Sequence, residues 1–243
     1  MNDGNLASIS IVSETICCQC NIPALSICDR LSAFQLDKLQ GFPDGRKETV
    51  PRPLGGERKT KMNIDDFAKE LESAGGHFIK VGSPAEGAEK IVEIARSLSA
   101  KTIILKNSRL LKDAEADSFL KSKGFAAEWA KADKERFFAA DMGVSEPEAA
   151  LAESGTLVEL VDPERGDLAS LVPPVHVAIF EETKILDSLD AFFRQITPEH
   201  GSAGLPRRMT LITGPSRTAD IEQSLTMGVH GPKELFAVVI SLK

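Results

Sequence analysis

From Met62 onward, segments with helical apolar spacing alternate with short continuous apolar runs, and no other feature constrains the fold as much. Asn63 ahead of Ile64, Asp65 and Asp66 is an N-cap with acids in the first turn, and Ile64, Phe67, Ala68 and Leu71 form a stripe that ends at Gly75-Gly76. His77 to Val81 reads as a strand. Ser83-Pro84 with Glu86 opens a second helix, on which Ala88, Ile91, Val92, Ala95 and Leu98 share a face. Thr102 to Leu105 is a strand placed inside a sheet, Asp113 to Lys123 a helix closed by Gly124, and Phe125 to Trp129 a strand.

The pattern continues with a short helix expected over Pro147 to Ala152 and strands over Thr156 to Val161 and Val175 to Phe180. Thr183 is expected to cap a helix carrying Ile185, Leu186, Leu189, Phe192, Phe193 and Ile196. A loop then leads to the strand Met209 to Thr213, a helix around Ala219 to Leu225, and a final strand Leu235 to Ile240. Strands joined through helices run parallel, and continuous apolar strands have both faces covered. The expectation is an α/β domain, a three-layer arrangement around a parallel-rich sheet.

That domain is expected over residues 62–243. The 19 residues from Pro43 to Lys61 hold three prolines, three glycines and many charges, with Val50 and Leu54 as their large apolar groups, so little there drives burial. Residues 1–61 carry eight basic and seven acidic groups against 21 and 29 in the remainder, so the acidic character begins with the domain. The first 61 residues read as a poorly structured leader or a docking tail. They also hold all four cysteines, Cys17, Cys18, Cys20 and Cys28. Cys17 and Cys20 make a C-x-x-C pair, but a four-thiolate metal site wants a second matched pair that this spacing lacks, and reduced thiols are the reading.

A net charge of −7 supplies no field to attract nucleic acid or anionic lipid, and twelve Phe, one Trp and no Tyr offer no stacking platform for single strands. No stretch approaches the roughly 18 uninterrupted apolar residues of a membrane span. The first 30 residues lack a basic stretch before an apolar run, so a secretory signal is not read there and a cytoplasmic protein is expected.

In open parallel sheets ligands bind beyond the carboxyl ends of strands, so the chemistry is sought in the strand-to-helix loops. After the strand at 209–213 comes Gly214-Pro215-Ser216-Arg217-Thr218-Ala219-Asp220. Gly214 lets backbone approach a ligand, while Ser216 and Thr218 offer donors beside the free N–H groups of an expected helix N-terminus, a cradle for phosphate or carboxylate. The alternative is that Ser216 or Thr218 caps the helix and Asp220 favours its dipole. The second loop is Glu153-Ser154-Gly155-Thr156, where Glu153 is a candidate carboxylate base or nucleophile if burial raises its pKa. The plain alternative is a helix end, a glycine turn and an edge threonine. His230, in Gly228-Val229-His230-Gly231-Pro232, is a candidate anion ligand or a structural hydrogen-bonding group. His176 is expected to be a satisfied edge histidine.

The runs from Ala152 to Val158, Ser170 to Pro173 ahead of His176, Gly214 to Glu222 and Gly228 to Pro232 together resemble the lactate-utilization, or LUD-domain, family. Within it the chain looks like the small C-type subunit, which has the LUD domain alone. The resemblance covers Met62 to the C-terminus, and Ser154 stands where Thr is common, a change that keeps the hydroxyl. It implies a fold similar to the sugar-phosphate isomerase, CoA transferase and formyltetrahydrofolate cyclo-ligase group. It implies a part in oxidising lactate to pyruvate beside iron–sulfur subunits, with the clusters in those partners and no cofactor in this chain. The ligand set it implies, for a small carboxylate or phosphate, is Ser154, Gly155, Thr156, Gly214, Pro215, Ser216, Thr218, Asp220 and His230. An independent CoA transferase-like or sugar-phosphate isomerase-like enzyme, with Glu153 reacting, is the alternative.

Overall fold

A computed structural model describes residues 63–130, 134–160, 167–200, 209–218, 226–227 and 231–242. The helices α1 (Ile64–Ser73) and α2 (Pro84–Ser97) form where local signals place them. Asn63 Oδ1 accepts the N–H groups of Asp65 and Asp66, and Asp66 Oδ2 accepts the Asn63 N–H, a reciprocal cap that fixes the start of α1. Ser83 Oγ accepts the Glu86 N–H with Pro84 in the first turn. Leu98, expected on the apolar face of α2, is instead its C-cap and 40% exposed.

The remaining elements run β1 (His77–Val81), β2 (Thr102–Leu105), α3 (Arg109–Asp113), α4 (Ala116–Ser122), β3 (Ala126–Trp129), α5 (Lys134–Ala139), β4 (Met142–Ser145), β5 (Ala149–Leu151) and β6 (Thr156–Leu160). They continue through a 3-10 turn (Asp167–Ser170), β7 (Val175–Glu181), a second 3-10 turn (Glu182–Lys184), β8 (Ile185–Leu186), α6 (Leu189–His200), β9 (Met209–Ile212), β10 (Arg217–Thr218), β11 (Thr226–Met227) and β12 (Glu234–Ile240). Six strands form one sheet in the order β1-β12-β7-β4-β2-β3, every pair of them parallel.

Period-two alternation divides the core between the faces of this sheet. Ile103 and Leu105 of β2, Met142 and Val144 of β4, Val177 and Ile179 of β7, and Val238 and Ile240 of β12 pack with Ile91 and Ala95 of α2, Leu111 of α3 and Leu120 of α4. On the opposite face, Ala178, Phe180, Leu235, Ala237 and Val239 pack with Phe67 and Leu71 of α1 and with Ala150 and Leu157 of a second sheet. Phe67 meets Phe180 edge to face at 5.9 Å between ring centroids. Helices, parallel sheet, and α1 with the second sheet make three layers of an α/β fold.

The second sheet, ordered β8-β5-β6-β9, departs from the expected uniform parallel arrangement. β6 is antiparallel to both β5 and β9, so the strands at 156–160 and 209–212 lie outside the parallel sheet. The helix expected over Pro147 to Ala152 is the strand β5: Ala149, Ala150 and Leu151 are all buried and pair with Val158, Leu157 and Thr156. Alanine favours a helix by only about 0.7 kcal/mol per residue or less over other ordinary residues, and burial between β6 and β8 overrides that preference. The helix expected from Asp113 to Lys123 is α4, which starts only at Ala116 because Glu115 takes a left-handed conformation, φ +46°; the short helix α3 ahead of it, ending at Asp113, is absent from the expectations. Thr183 does not begin a long helix. Ile185 and Leu186 form β8 beside Ala150 and Leu151, and α6 starts at Leu189. The strand β4 and the helix α5 were not anticipated. The expected helix around Ala219 to Leu225 and the four cysteines lie outside the described residues.

Candidate functional site

The antiparallel register of β6 on β9, from Leu157 opposite Ile212 to Leu160 opposite Met209, places Thr156 beside Thr213. Their hydroxyls lie 2.7 Å apart, and Ser154 Oγ lies 2.7 Å from Thr156 Oγ1, a chain of three hydroxyls joining the two loops. Both loops turn through glycines with positive φ, +61° at Gly155 and +77° at Gly214. Both glycines also lie against α1, where a Cβ on Gly155 would overlap the backbone of Glu70 and Leu71 and one on Gly214 the Ala74 carbonyl. Pro215 is buried, and the Arg217 guanidinium lies over Gly75, just past the end of α1.

Several sequence expectations change here. Gly214 leaves room for the C-terminal end of a helix, which presents carbonyls, whereas a cradle at a helix N-terminus presents N–H groups. The Ser216 N–H is not free, since it donates to the Pro232 carbonyl at 2.8 Å. Thr218 belongs to β10, paired with Thr226 of β11. Glu153 Oε1 accepts the Leu189 N–H at 3.0 Å, so this carboxylate caps α6. The structure therefore brings together Ser154, Gly155, Thr156, Gly214 and Pro215, with Ser216 following in the same loop. Asp220 and His230 lie outside the described residues.

A second polar cluster is wholly buried between the two sheets. Lys106 follows β2, and its Nζ lies 2.9 Å from Glu159 Oε2 on β6. Ser170 Oγ donates to the same oxygen at 2.9 Å, while Ser145 Oγ on β4 donates to Oε1 at 2.5 Å. Because the Ser145 proton is committed to the carboxylate, its oxygen accepts from His176 Nε2 at 2.8 Å. This fixes the Nε2–H tautomer and leaves Nδ1 as a buried acceptor without a partner. Burial lowers the His176 pKa to about 4, opposed by Glu159 and assisted by Lys106, so the ring is neutral near pH 7. Burial by itself would raise the Glu159 carboxyl, but the Lys106 charge and the hydrogen bonds from Ser145 and Lys106 outweigh it and hold it below its ordinary value. His176 is thus in a central strand, paired through β7 with both β4 and β12, and is not the expected edge residue.

Residues 64–240 match the LUD domain. The chain belongs to the LUD-domain family. The uncharacterized protein NMB1437 of Neisseria meningitidis serogroup B is 33% identical over 153 residues, which cover 61% of this chain and 64% of that protein. The protein called lactate utilization protein C in Shouchella clausii is 32% identical over 148 residues, 59% of this chain and 64% of its own length. The match thus spans slightly less than two thirds of each of these relatives. The crystal structure of a DUF162 family protein from Deinococcus radiodurans shares the fold, with a TM-score of 0.52 over 73% of this chain and 95% of that one at 15% identity.

The LUD-domain cluster around Glu159 is absent from the sequence expectations, although a partial signal existed. Leu157 and Glu159 are two apart in a strand whose apolar side chains are buried, which points the carboxylate inward. Its cation lies 53 residues away, beyond the reach of any local pattern. Among the described residues no group of three or more His, Cys, Asp or Glu side chains is placed to hold a metal ion, and no helix is long and apolar enough to cross a membrane.

Proposed function

We propose that this LUD-domain protein is a cytoplasmic component of a complex that oxidises lactate to pyruvate, and that it binds a small anion where the Gly155 and Gly214 loops meet. The observation that carries the reading is the LUD-domain match over residues 64–240, together with the likeness to a relative named lactate utilization protein C. The chain of hydroxyls from Ser154 to Thr213 supports the location, since a bound oxyanion needs donors and three hydroxyls joined by two hydrogen bonds have one O–H left to turn toward it. Turning the C2 hydroxyl of lactate into a ketone releases two electrons and two protons. Iron–sulfur subunits are the carriers assigned to those electrons, with this chain supplying binding and orientation.

Glu153 is held by its bond to the Leu189 N–H, which favours this role over the independent enzyme in which Glu153 attacks a thioester or moves a proton. The test is affinity purification of the tagged full chain from cells grown on lactate, with iron and acid-labile sulfide measured in the eluate. Co-purifying iron–sulfur subunits are expected. Thioester exchange or isomerase turnover by the isolated chain, without partners, would overturn the assignment.

A further inference from the structure

We infer that the corner of the domain where the edge strand β3 meets α5 and the end of α2 is a protein-docking surface, and that its partner presents one or two large apolar side chains beside a carboxylate. This goes beyond the complex proposed above by giving the chain a contact face. β3 ends the six-stranded sheet, and between its first residues, the start of β2 and α5 lies an open cavity of 290 Å³. The floor is apolar, with Ile103, Ile104 and Ala127 each 3% exposed or less, while the exposed Ala126 and Ala139 also line it. A benzene-sized group needs roughly 150 Å³, so one or two large side chains fit. Phe138 on α5 is 76% exposed and Leu98, the C-cap of α2, 40% exposed; they are two of the three large apolar side chains exposed among the described residues. Ala140 and Thr102, which follow them closely in the chain, both line the cavity. Apolar surface gathered in this way marks an interaction site.

Position and charge select the occupant. Thr102 and Ala126 are the first residues of β2 and β3, so the cavity lies at the amino ends of parallel strands, whereas the small ligands of such sheets bind beyond the carboxyl ends. A small molecule in the cavity would also leave Phe138 and Leu98 in water, and a protein segment covers them together with it. The lining carries Lys121 and Arg136 against Glu128, a net positive face on a chain of net charge −7. Lys121 pairs with Asp117 and Arg136 with Glu128, yet both cations stay about half exposed. Ion pairs in that setting contribute little, so an arriving carboxylate can share the cations. A second copy of this chain brings the same charge of −7 and is disfavoured.

The test places the photo-crosslinker p-benzoylphenylalanine at position 138 of the tagged full chain in cells growing on lactate, and identifies the captured peptide by mass spectrometry. The peptide should come from a different protein and hold a large apolar residue next to Asp or Glu. The same crosslinker at position 242, where Leu242 is exposed beyond the carboxyl end of β12, should not capture it. Without crosslinking, Phe138→Glu and Ala139→Trp should each lower the yield of the co-purified partner at least fivefold. If circular dichroism shows that Ala139→Trp is unfolded, Phe138→Glu at its exposed position decides. Capture of a second copy, of a segment without an acid or of nothing overturns the inference, as does undiminished partner yield in the folded variants. The proposed function fails separately. A partner captured at position 138 that carries no iron or acid-labile sulfide refutes the lactate-oxidising complex and leaves the surface, whereas an iron–sulfur partner retained equally by both folded variants refutes the surface alone.

Discussion

Lys106 Nζ and Glu159 Oε2 lie 2.9 Å apart, with the two side chains 3% and 2% exposed, and this pair fastens the second sheet to the parallel sheet. Taking both charges out of water is costly, and the pair holds because the carboxylate also accepts from Ser145 and Ser170. Lys106→Met leaves an uncompensated carboxylate and should destabilise the domain by about 3 to 5 kcal/mol, whereas joint replacement of Lys106 and Glu159 by Met and Leu should cost clearly less. Urea unfolding of the two variants and the wild type measures the difference. Equal costs would show that the pair does not act as a unit.

His176 makes stability depend on pH with a definite sign. Its folded pKa is about 4 against an ordinary 6.5, so the stabilising effect of the neutral ring is complete above about pH 6.5 and is lost as pH falls toward 4. The shift corresponds to about 3 kcal/mol across that window. Glu159, held below its ordinary value, acts in the same direction at lower pH. Thermal unfolding from pH 8 to pH 4 should show a falling midpoint, and His176→Asn should flatten the part between pH 6.5 and pH 4. An unchanged slope in that variant would remove His176 as its source.

At Gly155 and Gly214 the prediction concerns the scaffold. An L-residue in the left-handed region costs roughly 1 to 2 kcal/mol, and here the added Cβ also overlaps α1. Gly155→Ala and Gly214→Ala should each lower stability by at least that much with no ligand present. Differential scanning calorimetry of the unliganded variants checks this, and wild-type stability in either would show that α1 is not packed on the loops.

For Glu153 the expected effect is mild. Glu153→Gln keeps an oxygen to accept the Leu189 N–H and loses only the charge at the start of α6, so about 0.3 to 1 kcal/mol should be lost. Glu153→Ala should lose about 1 kcal/mol, the worth of the hydrogen bond from the Leu189 N–H, while Ser188 Oγ still accepts the Ala191 N–H. Lactate growth should survive Glu153→Gln, and its abolition in a folded variant would return Glu153 to a chemical role.

The parts of the fold written in local chemistry were legible. Asn63 with Asp66, and Ser83 with Pro84, announce α1 and α2 within four residues, and the apolar runs of β2, β7 and β12 mark the parallel sheet. Segments whose state depends on distant partners were not. Ala149 and Ala150 read as helix until β6 and β8 lie on either side of them, and Ile185 reads as a helical face until it pairs with Ala150. At the site, the two glycine turns were visible as turns, but the structure assigns their close approach to α1. Arg217 is visible in the sequence within the Gly214 loop, and only the structure places its guanidinium over Gly75, just past the end of α1.

Growth on L-lactate tests the central claim most directly. Cells from which this chain alone has been deleted should fail to grow with L-lactate as sole carbon source, grow normally on pyruvate, and recover on lactate when the full chain is restored. Unimpaired growth of the deletion strain on lactate would contradict a role in lactate oxidation.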